Sequence, residues 1–322
     1  YETCRQVLVE ELGVEPDART TALYQRILDG ELDRDVWPQT PMGLTAPAAR
    51  PAFLSITPAR RYAPAPFVAR ERELAQLGRF LESALDGQGR VVFVSGEAGS
   101  GKTALVQEFA RRAQDARDEL IVAGGNCDAY TGVGDPYLPF REILGLLTGD
   151  VEARWAAGEM SQDHARRLWA LTPHSISPLV SAGSDLIGFF TPGPALAARA
   201  RVAAPAEGSL ADLERIVAQG KAEPGTADLF QTALFAQYAR VLQALAREQP
   251  LLLILDDLQW ADAGSLGLLF HLGRRLQGTR ILILGIYRPA DVAVGRDGAG
   301  HPLEPLIAEF QRRFGQSQVD LR

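Results

Sequence analysis

Val91-Val92-Phe93-Val94-Ser95-Gly96-Glu97-Ala98-Gly99-Ser100-Gly101-Lys102-Thr103 is the stretch from which the rest of the chain is read. A four-residue apolar run ends in Ser95, a loop follows with glycines at 96, 99 and 101, and Lys102-Thr103 opens a helical pattern. The loop fits G-x-x-x-x-G-K-[ST], the phosphate-binding P-loop. Its glycines let the backbone turn so that successive N–H groups converge on a phosphate, and the following helix adds its positive N-terminal end. In this reading Gly96, Glu97, Ala98, Gly99, Ser100, Gly101, Lys102, Thr103 and Ala104 cradle ATP, Lys102 reaches the β- and γ-phosphates, and the Thr103 hydroxyl ligates Mg²⁺. The plainer alternative is a glycine-rich turn that happens to precede a lysine. The chain has only two lysines, Lys102 and Lys221, which makes a chance match rare, and the required strand before and helix after are both present.

The remaining composition sets bounds. The 322 residues suffice for one large domain or two ordinary ones, and 46% hydrophobic with 23% charged residues is a globular balance. A net charge of −7 argues against a broad nucleic-acid-binding face. Cys4 and Cys127 lie far apart without metal spacing, and no apolar run approaches a membrane span, so a reduced cytoplasmic compartment is expected. Cys127 reads as a small core residue rather than a reactive thiol. Tyr1 falls inside a helical pattern, from which a fragment of a longer protein is expected.

Residues 1–30 read as a helical hairpin, with Cys4, Val7, Leu8 and Leu12 on one stripe and Leu23, Tyr24, Ile27 and Leu28 on the next. Glu11-Leu12-Gly13-Val14-Glu15-Pro16 and Leu23-Tyr24-Gln25-Arg26-Ile27-Leu28 resemble the C-terminal end of the bacterial transcriptional activator domain, a tetratricopeptide-like helical module. An ordinary helical hairpin of some other repeat array stays open beside it. Residues 31–66 hold seven prolines and little periodicity, which predicts an extended linker. Phe67-Val68-Ala69-Arg70-Glu71 then resembles the Val-Gly-Arg-Glu box at the start of AAA-like and STAND (signal-transduction) ATPase domains, with Ala69 in place of glycine. That resemblance implies packing of Phe67 or Val68 near the adenine.

Leu251-Leu252-Leu253-Ile254-Leu255 ends in Asp256-Asp257, an apolar run of the kind found in a strand buried on both faces of a parallel sheet. This is a Walker B pattern, in which Asp256 holds Mg²⁺ and Asp257 orients or deprotonates the attacking water. An acid-rich helix N-terminus is the competing reading. The continuation Leu258-Gln259-Trp260-Ala261-Asp262 resembles the Walker B box of large ATP-binding transcriptional regulators of the LuxR and SARP kinds. Trp260 is expected to pack and Asp262 to cap the next helix. Ile281-Leu282-Ile283-Leu284-Gly285-Ile286 resembles the sensor-1 strand of the same family, and by position Arg288 faces the γ-phosphate; a surface arginine beside a turn is the alternative.

Residues 150–225 say least. Helical pieces are expected near 152–170 and 209–220, the latter with Ser209 and Asp212 at capping-box spacing, as a lid-like insertion of unknown role. Trp155, Trp169, His164 and His174 read as packing or surface residues.

The resemblance implies an α/β P-loop NTPase, a doubly wound parallel sheet over 67–322 in which the sensor strand lies between the Walker A and Walker B strands. A further strand and a helical lid, normal for the family, find no counterpart in the pattern. The expected function is an ATP-binding, slowly hydrolysing switch of a transcriptional regulator. Its partners would be ATP/ADP, DNA only through a module outside these residues, and a second copy if it self-associates. A ring-forming AAA+ motor with Arg274-Arg275 as arginine fingers is the alternative. A small-molecule kinase would need an acceptor pocket that the pattern does not identify, and a GTPase lacks its Asn-Lys-x-Asp motif.

Overall fold

A computed structural model of the chain describes residues 51–55, 70–127, 136–205, 208–219, 227–294 and 300–321. All of them fall in the second of the two units into which the chain divides, Pro47–Arg322. The hairpin expected over 1–30, most of the linker and the Phe67-Val68 segment lie outside the described residues.

The described chain opens on a single helical turn, α1 (Ala52–Ser55), and continues in α2 (Glu71–Leu85), β1 (Gln88–Ser95), α3 (Lys102–Ala116) and β2 (Ile121–Asn126). Then come α4 (Leu138–Leu147), α5 (Glu152–Ala156), α6 (Gln162–Ala182), α7 (Gly193–Ala203), α8 (Ser209–Gln219) and α9 (Ala227–Glu248). The second half alternates β3 (Leu251–Asp256), α10 (Ala263–Gly273), β4 (Thr279–Tyr287), α11 (Pro289–Val294), α12 (Leu303–Phe314) and β5 (Gln318–Asp320). The five strands form one sheet in the order β2-β3-β4-β1-β5, and every pairing is parallel. β4 therefore stands between the P-loop strand β1 and the carboxylate strand β3, as the resemblance implies.

Alternation along each strand sends side chains to opposite faces. Val92 and Val94 face one core with Leu74, Leu77 and Leu81 of α2 and Leu105, Val106 and Phe109 of α3. Val91 and Phe93 face the other, which takes in α4, α6, α9, α10 and α12. Gly125 of β2 permits part of that contact. A Cβ there would lie 2.1 Å from the Pro139 carbonyl oxygen, so only glycine lets the start of α4 rest on the strand backbone.

Three expectations need correction. The missing last strand is present: β5 pairs with β1 through Phe93 N–H to Ser317 O (2.8 Å) and Leu321 N–H to Ser95 O (2.9 Å). Gln-Val-Asp carries no apolar run, so nothing in its composition announces a strand. The segment 150–225 is no detachable flap, because Leu168, Leu171, Ile176, Leu179 and Leu196 share a continuous core with the sheet. Its predicted helix over 152–170 is two helices, and the second runs to Ala182 through Pro173 and Pro178, while α7 was not foreseen. Ser209 is the first residue of α8 rather than the residue before it, and Asp212 pairs with Arg215.

The third concerns the linker. Phe53 is fully buried, with its ring 5.8 Å from that of Trp155 and 6.1 Å from that of Trp169. Its carbonyl accepts from Gln162 Nε2 at 2.6 Å. One turn inside the proline-rich stretch is thus an anchor, not a spacer. His164, read as packing or surface, donates from Nε2 to the Val122 carbonyl at 2.8 Å, and burial pushes its pKa down, so it is held neutral. His174 is exposed.

Candidate nucleotide site

Parallel strands bring Ser95, Asn126, Asp256, Tyr287 and Asp320 to one edge of the sheet, the carboxyl edge at which α/β folds bind ligands. The P-loop leaves β1 there. Gly99 and Gly101 adopt φ of 75° and 84°, the left-handed region that glycine enters without strain, and Gly101 ends the loop where α3 begins. Gly96 is buried, and a Cβ on it would come within 2.7 Å of Ser100 Oγ. Glu97, Ala98, Gly99, Gly101 and Ala104 are exposed along the loop and the first turn of α3.

Lys102 is buried and bends back over the loop, donating to the carbonyls of Gly96 (2.9 Å) and Glu97 (2.7 Å). Burial, and next the nearby Arg288, push its pKa down. A buried ammonium beside a second cation favours an added anion. Ser100 Oγ is buried with no hydrogen-bond partner, an orphaned polar atom in the same cradle. The loop fits a phosphate on both counts.

β3 supplies the carboxylates. Thr103 Oγ1 donates to Asp256 Oδ2 at 2.9 Å, joining residues 153 positions apart. Burial pushes the Asp256 pKa up against the lowering effect of that hydrogen bond. A hydroxyl and a carboxylate in contact are hard oxygen donors of the kind that suit Mg²⁺ shared with phosphate oxygens and water. Among the described residues no group of three or more His, Cys, Asp or Glu forms a metal cluster, so a cation here would need those other ligands.

Asp257 sits in the left-handed region, φ 53° and ψ 44°, with its N–H on Asp256 Oδ1 at 2.8 Å. Its Oδ1 accepts from Gln259 Nε2 at 2.7 Å and lies 3.5 Å from the Arg288 guanidinium. The structure therefore gathers Lys102, Thr103, Asp256, Asp257 and Arg288 at one edge. Sequence reasoning missed Gln259, whose signal was its place two residues after the carboxylate pair. Asp262 caps α10, as expected, by accepting from the Ser265 N–H at 2.9 Å. Trp260 packs against the core. Cys127 is buried and burial pushes its thiol pKa up, which fits a packing role.

A cleft of about 590 Å³ opens beside Thr103 and Asp256, lined also by Gln107, Asn126, Arg154 and His164. Arg154 pairs with Glu142 at 2.9 Å and His164 bonds the Val122 carbonyl. Arg274 and Arg275 end α10 on the side where β4 begins, at the edge of the sheet opposite the P-loop.

Residues 66–284 match the family described as the AAA ATPase domain. The chain belongs to this AAA ATPase domain family. Membership implies nucleotide binding. Residues 1–28 match the bacterial transcriptional activator domain, so the AAA ATPase domain is preceded by the end of that helical module, an order consistent with regulators of the SARP and LuxR kinds. An uncharacterized protein of Rhizobium meliloti (strain 1021) is 26% identical over 274 residues, 77% of this chain. The chain spans about a fifth of that relative's length, since 21% of it is covered. A solved structure of the bacterial conjugative coupling protein TrwBdeltaN70 aligns at 14% identity over 71% of this chain and 68% of that one, with a TM-score of 0.23. No described helix is long and apolar enough to cross a membrane.

Proposed function

We propose that this AAA ATPase domain is a switch that binds ATP with Mg²⁺, hydrolyses it slowly, and serves a bacterial transcriptional regulator of the cytoplasm. The observation that supports it most directly is the Thr103–Asp256 hydrogen bond, which seats the P-loop and the carboxylate pair within one site. In this reading residues 67–322 form the ATPase domain together with the anchoring turn at Ala52–Ser55, residues 1–30 are the end of the activator module, and the rest of 31–66 links them. DNA is bound by a module outside these residues.

The roles follow from placement. Backbone N–H groups from Gly96 to Ala104 and the start of α3 grip the phosphates, and the Lys102 ammonium exchanges its loop carbonyls for phosphate oxygens. Thr103 and Asp256 would hold Mg²⁺, which offsets negative charge on the phosphate oxygens. Asp257 orients a water and takes its proton as the new P–O bond forms and the bond to the β,γ-bridging oxygen breaks. Arg288, 3.5 Å from Asp257, stands where a γ-phosphate would compete for its guanidinium. A motor reading would need Arg274 or Arg275 to reach the phosphates of a neighbouring copy in a ring, which a size measurement tests.

A steady-state ATPase assay on the 322-residue chain, run with a size measurement, tests the reading. Slow turnover without a stable hexamer is expected, and fast turnover in such a hexamer overturns it. Asp257→Asn should bind ATP as the parent does while turnover falls by about 100-fold or more.

A further inference from the structure

Gln259 is 2% exposed, and both ends of its side-chain amide and its backbone carbonyl are hydrogen-bonded. Its side-chain Nε2 donates to Asp257 Oδ1 at 2.7 Å, and its Oε1 accepts from the Arg288 backbone N–H at 3.1 Å. Its backbone carbonyl meets His301 Nε2 at 3.0 Å. The Leu303 N–H donates to His301 Nδ1 at 3.1 Å, so the ring proton is on Nε2 and His301 donates to Gln259. The same logic fixes the amide: rotating it by half a turn would set two donors face to face and two acceptors face to face.

Two features make this more than packing. Asp257 holds a left-handed backbone conformation that is strained for a residue other than glycine, so it persists only if its surroundings hold it. Moreover, Gln259 and Arg288 both address Oδ1 of Asp257, and among the described residues Oδ2 takes no hydrogen bond. The carboxylate is thereby oriented with one oxygen anchored and the other left for a water.

We propose that Gln259 is the positioning residue of the hydrolytic step: its amide clamps Asp257 Oδ1, presents Oδ2 to the attacking water, and ties that geometry to the end of β4 at Arg288. His301 anchors the Gln259 backbone from the N-terminal end of α12. The inference rests on the ATPase reading and adds to it a residue that touches neither phosphate nor metal ligand.

The test compares kcat and ATP affinity in the 322-residue chain for Gln259→Leu, Gln259→Glu and Asp257→Asn, with Gln259→Leu also made in the Asp257→Asn background. Gln259→Leu removes both side-chain contacts. Gln259→Glu keeps the shape and the acceptor for Arg288 but sets a carboxylate against Asp257. Both should lower kcat by about 10- to 100-fold with ATP affinity within about threefold of the parent. In the Asp257→Asn background Gln259→Leu should add little, because the group it positions is already gone. Parent-like kcat in either folded single variant overturns the proposal, as does an undiminished loss in the Asp257→Asn background. Should Gln259→Leu fail to fold, the near-isosteric Gln259→Glu decides alone. A chain that hydrolyses no ATP, or in which Asp257→Asn turns over like the parent, instead removes the underlying ATPase reading, a result distinct from failure of the Gln259 role.

Discussion

The phosphate edge of the sheet and the helical layer over residues 138–248 are held together by different physics. At the edge, a few polar groups are fixed by short hydrogen bonds and by backbone in the left-handed region: Gly99, Gly101 and Asp257, with Lys102, Thr103 and Gln259 bonded across them. Single atoms matter there, and Ser100 Oγ is left buried without a partner. The helical layer rests mainly on apolar packing. Leu168, Leu171, Ile176, Leu179, Tyr238 and Leu242 fill space, and Tyr238 needs only one polar contact, its hydroxyl on the Phe140 carbonyl at 2.8 Å. Both regions hold a buried polar atom without a partner, Ser100 Oγ at the edge and Thr172 Oγ1 in the layer, and both hold left-handed backbone outside glycine, at Asp257 and at Ala204. What marks the edge as a place for a ligand is the convergence of Lys102, Asp256, Asp257 and Arg288 on it, whereas close packing makes the layer a scaffold.

If that contrast is right, a substitution at the edge should change ligand chemistry while leaving the fold intact. Lys102→Ala should show the largest effect. It removes the ammonium that bridges the Gly96 and Glu97 carbonyls, and with it the one lysine of the cradle. ATP affinity by calorimetry should fall by about 10³-fold, or ~4 kcal/mol, with little change in the unfolding midpoint. Unchanged affinity would return the loop to an ordinary glycine-rich turn.

The same contrast explains what could be read from the chain without coordinates. The edge was legible because its chemistry is local: Gly96 to Thr103 are consecutive, and Asp256-Asp257 end an apolar run of the kind a buried strand carries. Even the cap from Asp262 follows from spacing. Gln259 escaped because its value lies in meeting Arg288, a residue 29 positions later. The scaffold was harder for the same reason on a larger scale. Gln162 reaches the Phe53 carbonyl across 109 positions, and no periodicity in a proline-rich stretch signals that one turn of it is buried. β5 was hidden because a strand of three residues with one apolar side chain, Val319, is too short to show a pattern, and its hydrogen bonds to β1 are not visible in composition.

Phe53→Ala probes the scaffold side. The ring is fully buried between Trp155 and Trp169, so truncation leaves a cavity. A loss of about 3 kcal/mol is expected in urea unfolding, at the low end for Phe to Ala because a single helical turn can partly collapse. ATP affinity in the folded protein should stay within about twofold of the parent. A large loss of affinity instead would mean that α1 and the layer it anchors are coupled to the phosphate edge, and the separation drawn above would fail.

The smallest effect tests whether α3, which begins in the P-loop, behaves as scaffold along its length. Glu108 accepts from Arg111 at 2.8 Å and from Arg112 at 2.7 Å, and Arg112 continues to Glu71 of α2 at 3.1 Å. The Arg111 hydrogen bond leads in holding the Glu108 carboxyl down to about 2, with Arg112 adding to it. A carboxyl whose folded pKa is depressed stabilises the fold above its unfolded value and loses that contribution as pH falls through the folded one. The window is therefore from about 4.5 down to about 2. Solvent screens this surface network, so Glu108→Gln should cost less than ~1 kcal/mol near neutral pH. The difference from the parent should shrink across that window and vanish near its lower end, read as unfolding midpoints at matched ionic strength. ATP affinity at neutral pH should not move, because Glu108 lies one and a half turns beyond Lys102 and bonds only to its neighbours on the outer surface. A stability difference that persists undiminished in acid would assign the effect to packing of the side chain rather than to its charge.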